Sequence, residues 1–271
     1  MSNAIEVRGL RKSYGSREVL RGLDFSIKQG EIFAILGANG AGKTTALECM
    51  EGLRRYDGGS IAVNGRIGIQ LQSSALPEHI KPTEAIRLFE KWNHTVIRRE
   101  ILDSLEINDF ASTQYKNLST GQKRRLHIAL ALTCDPDIVF LDEPTAGLDV
   151  EGRLSLHKEI RDLREHGKTV VLASHDMAEV ESLCSRIAVL NAGRIVFCGT
   201  PSELTDKTGK KYSVSVKTSN GEKSFETDNI SDSLLKLLSD LKQSGTEIYD
   251  IKIDRGTLEQ HFMEIAGRVK K

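Results

Sequence analysis

The chain has 271 residues, 39% hydrophobic and 28% charged, which suits a globular protein with one large core and room for a small appended domain. Its 38 lysines and arginines match its 38 aspartates and glutamates, so no bulk charge marks it as a nucleic-acid or anionic-lipid binder. No apolar run reaches the roughly 18 residues of a membrane span, and the N-terminal residues do not read as a secretory signal; any spanning is expected from another chain.

The alternation of Ile5 and Val7 up to Gly9-Leu10 predicts a strand, and residues 19–27 and 31–36 predict two more. Ile61-Ala62-Val63, stopped by Asn64-Gly65, is a short further strand and turn. These segments read as an antiparallel sheet flanking the strand at 31–36. That strand runs into Gly37-Ala38-Asn39-Gly40-Ala41-Gly42-Lys43-Thr44, which fills the phosphate-loop pattern G-x-x-x-x-G-K-[ST], and a helix-like run at 45–53 follows. The bare pattern arises by chance in roughly one chain in a hundred of this size. Between a strand and a helix it points to a phosphate site, through Thr45 at the helix start. Glycines let backbone N–H groups turn inward as an anion nest, and the helix aims its positive N-terminal end at the same anion. Lys43 then reaches the β and γ phosphates, and the Thr44 hydroxyl can ligate Mg²⁺.

From residue 82 to about 132 the pattern is helical. Ala85, Leu88, Phe89 and Trp92 recur at helical spacing, as do Ile101, Leu102 and Leu105. Trp92, the one tryptophan, reads as a packing residue, with an interface role as the alternative. Leu118-Ser119-Thr120-Gly121-Gln122 precedes a helical run at 123–133. Ser119 reads as a helix N-cap whose neighbouring free N–H groups can also bind an anion.

Two continuous apolar strands follow. Residues 138–141 end in Asp142-Glu143-Pro144, and 169–173 end in Ser174-His175; between them 154–165 reads as a helix stopped by Gly167. Such strands alternating with helices predict a buried, mainly parallel sheet, whose C-terminal strand ends are where ligands bind. In a nucleotide-hydrolysing site Asp142 holds Mg²⁺, often through water, and Glu143 polarises the attacking water as general base. His175 can donate a hydrogen bond to a γ-phosphate. The plain alternatives are a solvated acidic pair and a structural histidine.

After residue 201 the character changes. Residues 207–211 read as a linker, 212–216 alternate, Asn220-Gly221 marks a hairpin turn and 223–227 return. Leu234, Leu235, Leu238 and Leu241 mark a helix stopped by Gly245; Ile248, Ile251 and Ile253 mark a strand; Leu258, Phe262 and Ile265 mark a closing helix. Cys49, Cys134, Cys184 and Cys198 form no C-x-x-C pair and read as reduced thiols buried as small hydrophobes.

Taken in order, these motifs resemble the ATP-binding subunits of ATP-binding cassette (ABC) transporters, over residues 1–205. The resemblance implies an α/β P-loop NTPase core of ABC type with an antiparallel β subdomain and a helical subdomain at about 73–135, plus a small C-terminal α+β domain at 212–271. It makes residues 118–122 the signature that contacts ATP held by a second subunit through Ser119, Gly121 and Gln122, with Thr120 where the commonest form has glycine. It makes Gln72, with Gln70 the near alternative, the Q-loop glutamine that senses Mg²⁺ and links to the membrane subunit. Asp149 resembles the D-loop acid and His175 the switch histidine. Tyr14 in Lys12-Ser13-Tyr14-Gly15 matches the aromatic that stacks on adenine; without the family it reads as a strand-end surface aromatic. Arg66-Ile67-Gly68 follows the turn at 64–65 at once, a shorter link than many relatives have, so a trimmed antiparallel edge is expected.

The implied function is Mg²⁺-dependent ATP hydrolysis in a head-to-tail dimer with a second copy or a homologous subunit. The dimer would drive transmembrane permease subunits from the cytoplasm, peripherally at the inner face of the cell membrane, with no nucleic-acid partner. Residues 257–262, Thr-Leu-Glu-Gln-His-Phe, resemble the close of ATPases serving ABC-2 type exporters, and Gln-Leu-Gln at 70–72 suits drug or antibiotic exporters. The rival reading, a soluble ABC ATPase acting on DNA or the ribosome, fits less well with one cassette and no long heptad tract.

Overall fold

Alternating burial builds the first strands of the computed structural model, which describes residues 2–70, 75–208 and 212–254. β1 (Asn3–Tyr14) turns Ala4, Ile5, Val7 and Leu10 inward, and β2 (Arg17–Lys28) answers with Leu20, Leu23, Phe25 and Ile27. The two pair antiparallel as far as Tyr14 opposite Arg17, well beyond the apolar alternation that ends at Leu10. A register break at Gly9, with φ 58 and its N–H donating to Asp24 at 2.8 Å, re-aims the strand.

β3 (Ile32–Leu36) leads through the glycine loop into α1 (Lys43–Met50). β4 (Gly58–Val63) then joins the free edge of β1, giving the order β2-β1-β4. β5 (Ile67–Gln70) follows at once and belongs to the other sheet.

The next segment is helical: α2 (Pro82–Asn93), α3 (Arg99–Ser104) and α4 (Thr120–Leu132). α2 starts with Pro at its first position, and the Glu84 carboxylate accepts from the Lys81 N–H at 2.9 Å. Its inward residues are Ala85 and Ile86, whereas Leu88 is 53% and Trp92 76% exposed. Trp92 is therefore not a packing residue: it shares a stripe with Ala85, but the buried residues of α2 lie in its first half and the last turn is left exposed, which spacing alone does not show. The Trp92 and Phe89 rings lie 6.3 Å apart.

β6 (Ile138–Asp142), α5 (Val150–Glu165), β7 (Thr169–Ser174), α6 (Met177–Leu183), β8 (Arg186–Asn191) and β9 (Arg194–Gly199) complete the large sheet, whose order is β5-β6-β7-β3-β8-β9. β3, β6 and β7 are buried at every residue, and the pairs β5/β6, β6/β7, β7/β3 and β3/β8 run parallel. The β8–β9 hairpin was not expected. Its two-residue turn, Ala192-Gly193, has φ 46 and 78, but alanine at the first position lacks the usual Asn or Asp signal.

The chain divides into two compact units, Met1–Cys198 and Gly199–Lys271. In the second unit α7 (Pro201–Thr208) stands partly where a linker was expected. Thr200 and Glu203 form its capping box, side chain to backbone at 3.1 and 2.8 Å, a Thr-x-x-Glu signal legible in the sequence. β10 (Tyr212–Thr218), β11 (Gly221–Thr227), α8 (Ile230–Gln243) and β12 (Ile248–Asp254) follow, with antiparallel order β11-β10-β12. Val214, Val216 and Leu241 form a core that Leu234 and Leu237 join, while Leu235 is exposed. The expected closing helix lies outside the described residues. The four cysteines are free thiols; Cys49 and Cys184 are buried, but Cys134 is only half-buried and Cys198 is exposed.

Phe140 sits in β6 two residues before the acidic pair, with no exposed surface. Phe140→Ala leaves a cavity in the middle of the sheet and is expected to destabilise the first unit by about 3–5 kcal/mol, read from urea unfolding.

Candidate functional site

The C-terminal ends of β3, β6 and β7 converge on one cleft of about 450 Å³. Its walls include Tyr14, Asn39, Gly40, Gly42, Lys43, Thr44, Thr45, Glu143 and His175. Two glycines of the loop have no room for a side chain. A Cβ on Gly37 would lie 2.6 Å from the Leu190 carbonyl oxygen, and Gly42, at φ 108, would meet Leu20 at 2.9 Å. The loop is thus clamped between β8 and β2 with its backbone turned to the cleft.

Lys43 is buried, and its ammonium donates to the carbonyls of Gly37 and Ala38 at 2.8 and 3.4 Å. Burial lowers its pKa, opposed by the charges of Glu143 and Asp142. Asp142, the last residue of β6, is buried too. Burial raises its pKa, against a hydrogen bond from the Thr44 hydroxyl and the Lys43 charge, while Glu143 pushes it further up. One carboxylate oxygen, Oδ1, has no hydrogen-bond partner. A buried carboxylate with a spare oxygen beside a threonine hydroxyl is a donor set that fits Mg²⁺, which takes few protein ligands and completes its shell with water and phosphate. Among the described residues no cluster of three or more His, Cys, Asp or Glu offers an all-protein cage.

Glu143 follows in the left-handed region at φ 47. Its N–H donates to the Ala173 carbonyl at 2.9 Å, its own carbonyl accepts from Arg124 at 2.9 Å, and its carboxylate lies 3.1 Å from His175 Nδ1. The turn carrying His175 is built behind it: the Ser174 hydroxyl donates to Glu179 at 2.6 Å and accepts from the Asp176 N–H at 3.0 Å. Tyr14 is 43% exposed at the cleft mouth, with the Arg54 guanidinium 5.3 Å and the Lys12 ammonium 5.7 Å from its ring centre.

Ser119, Gly121 and Asp149 lie elsewhere, in a second cleft of about 390 Å³ shared with Thr120, Gly147 and Leu148. Ser119 caps α4 as expected, accepting from the Gln122 N–H at 3.2 Å. The Gln122 side chain returns to the Ser119 N–H at 2.9 Å, so it serves the capping box and does not line the cleft. Asp149 caps α5 through the Gly152 N–H at 2.8 Å. The two clefts share no lining residue. Gln72 lies outside the described residues; Gln70 is buried at the end of β5.

Sequence reasoning missed Arg124, Glu179 and Arg54. Arg124 stands in the run Lys123-Arg124-Arg125, which has the look of a solvated face, and only the orientation of α4 turns it inward.

A parallel α/β sheet with a glycine loop at its switch into α1 and an acid at the end of a neighbouring strand defines a P-loop nucleotide-binding fold. The family model described as ABC transporter matches residues 20–146. The daunorubicin resistance ATP-binding protein DrrA3 of Streptomyces coeruleorubidus is 32% identical over 99% of this chain and 98% of its own length. The linearmycin resistance ATP-binding protein LnrL of Bacillus subtilis is 33% identical over 76% of this chain and 72% of its own. The Nod factor export ATP-binding protein I of Cupriavidus pinatubonensis is 36% identical over 74% and 68%. A solved ATP-binding subunit of an ABC transporter shares the fold at TM-score 0.67 and 24% identity, covering 75% of this chain and 92% of that one. The ADP conformation of an ATP-binding cassette does so at TM-score 0.67 and 19% identity, over 75% and 93%. The chain belongs to the ATP-binding protein family of ABC transporters and is an ATP-binding, ATP-hydrolysing subunit of that family.

Glu51, at the C-terminal end of α1, is buried with one oxygen unpartnered. Burial pushes its carboxyl from 4.5 up to about 7, with Asp142 and Glu48 adding to the rise. A raised folded pKa favours the protonated form, so this contribution to stability is complete below pH 4.5 and lost as pH rises through 7. The loss is about 3 kcal/mol. Wild type is therefore expected to lose ground to Glu51→Gln by about that much between pH 4.5 and 8 in denaturant titrations; a constant difference would rule it out.

Proposed function

We propose that this chain is the ATPase of an ABC-2 type exporter and works as a head-to-tail pair, each nucleotide held between one chain's loop and the other's signature. The observation that carries the pairing is the separation of the two clefts: Lys43, Glu143 and His175 in one, Ser119, Gly121 and Asp149 in the other. Neither cleft alone has both the loop and the signature. The export assignment rests on relatives named for daunorubicin resistance, linearmycin resistance and Nod factor export.

In this reading Gly37, Ala38, Asn39, Gly40, Ala41 and Gly42 present backbone N–H groups to the phosphates, and Thr45 closes the cradle at the helix start. Tyr14 offers its ring to adenine. Thr44 and Asp142 would hold Mg²⁺, which when bound neutralises charge on the phosphates. Gln72 keeps its proposed part in sensing that ion. Glu143 orients and deprotonates the attacking water. His175, 3.1 Å from that carboxylate, and Lys43 stabilise the charge on the transferred phosphoryl group.

Among the described residues no helix is long and apolar enough to cross a membrane. In this reading the chain works peripherally, on the cytoplasmic face of a separate spanning partner. Leu88, Trp92 and Val96, 53%, 76% and 82% exposed, are apolar residues on and just after α2 that would suit contact with a segment of that partner.

Glu143→Gln is expected to lower ATP turnover by about 10²–10⁴ while retaining ATP-induced dimers in size-exclusion chromatography. Turnover at the wild-type rate would refute the general-base role. Trp92→Glu is expected to reduce co-purification of the spanning chain about tenfold with ATPase activity of the isolated subunit unchanged. Equal recovery would remove Trp92 from the interface.

A further inference from the structure

Glu143 is an unusual residue to leave in a left-handed conformation, since its side chain gains nothing from φ 47 that a glycine would not allow more easily. The conformation persists because the peptide groups on both sides are held. The Glu143 N–H is tied to β7 through the Ala173 carbonyl, and the Glu143 carbonyl is tied to α4 through the Arg124 guanidinium, each at 2.9 Å. The first anchor lies within the sheet. The second crosses to the helix whose N-terminal turn carries Ser119 and Gly121 in the other cleft.

The three successive cations of α4 separate here. Lys123 lies over the Tyr115 ring at 5.1 Å, and Arg125 pairs with Glu106 and faces the Phe110 ring, so both serve the helical segment. Arg124 turns the other way, to the end of β6. Burial lowers its pKa, against the charges of Asp142, Glu143 and Glu179, and a guanidinium stays charged there, so the carbonyl receives a charged donor.

We propose that Arg124 is a positioning residue that ties this chain's own signature helix to its own Glu143, so that seating the partner's nucleotide on Ser119 and Gly121 sets the general base of the neighbouring site. The proposal rests on the two-copy reading above. It makes each chain a mechanical link between two nucleotides: the one it touches with α4 and the one it hydrolyses with Glu143. Such a link acts on the orientation of the carboxylate, and misplacement of a reacting group by about 1 Å costs about a hundredfold in rate.

The test uses Arg124→Gln and Arg124→Lys in the full chain, alone and combined with Glu143→Gln. Arg124→Gln is expected to lower kcat about 10- to 100-fold with KM for ATP within about twofold and thermal midpoint close to wild type. Arg124→Lys, which keeps a charged donor, is expected to recover a substantial part of kcat. The combined variant is expected still to form ATP-dependent dimers, because Arg124 does not contact the nucleotide in this scheme. Unchanged kcat in Arg124→Gln, or a parallel loss of kcat, ATP affinity and thermal stability that Lys does not relieve, would overturn the link and leave the pairing intact. Absence of ATP-dependent dimers in Glu143→Gln itself overturns the pairing, and the link with it.

Discussion

The burial of Asp142 is the constraint around which the site is organised. β6 is covered on both sides, and its last residue carries a carboxylate into that environment with only partial hydrogen bonding. Such a group is tolerated only where compensating charge lies close by. The compensation comes from Lys43 and the Thr44 hydroxyl at the start of α1, and it fixes where α1 must begin relative to β6. The glycine loop is then the short path between β3 and that helix, and Gly37 and Gly42 are the points at which β8 and β2 leave no room for a side chain. A hard cation at the spare oxygen of Asp142 would complete the same compensation, so the demand of the sheet and the demand of a phosphate site coincide.

Around this centre the fold divides its polar resources. Helix starts are the natural anion sites of an α/β protein, and three of them lie near the candidate chemistry. α1 begins without a side-chain cap, at Gly42, and its first residues line the cleft. α4 and α5 begin with Ser119 and Asp149, whose side chains already satisfy Gln122 and Gly152 N–H groups. The uncapped start of α1 belongs to the cleft with Lys43; the capped starts of α4 and α5 belong to the other cleft, which in the proposed reading meets the second chain. A capped helix end keeps its shape without a ligand, which is what a surface presented to a partner requires.

The large features were legible from local patterns. Continuous apolar runs at 138–141 and 169–173 could only be buried strands, and the acids and histidine ending them had to fall on one edge of a parallel sheet. Ser119 announced itself as a cap by its place just before the helical run at 123–133. What was not legible depends on orientation in three dimensions. Trp92 and Ala85 share a helical stripe in the sequence, yet α2 buries Ala85 and turns Trp92 outward. Arg124 is indistinguishable from its basic neighbours until α4 is placed against β6. Ala192 carries none of the usual turn chemistry, yet it and Gly193 take the positive φ values that turn β8 into β9. The capping box of α7 was readable and was passed over in favour of the polar composition around it.

The contact between Lys43 and the Gly37 carbonyl connects this architecture to a change of state. A buried ammonium cannot remain without acceptors, so the loop's own carbonyls hold it beside the cleft. In the proposed reading a phosphate offers stronger, charged acceptors, and Lys43 exchanges neutral carbonyls for them. That exchange frees a loop carbonyl and draws positive charge toward the nucleotide. It also lessens the compensation available to Asp142, at the point where a divalent ion would supply it. In that reading nucleotide and cation would be coupled through one lysine, each more favourable when the other is present.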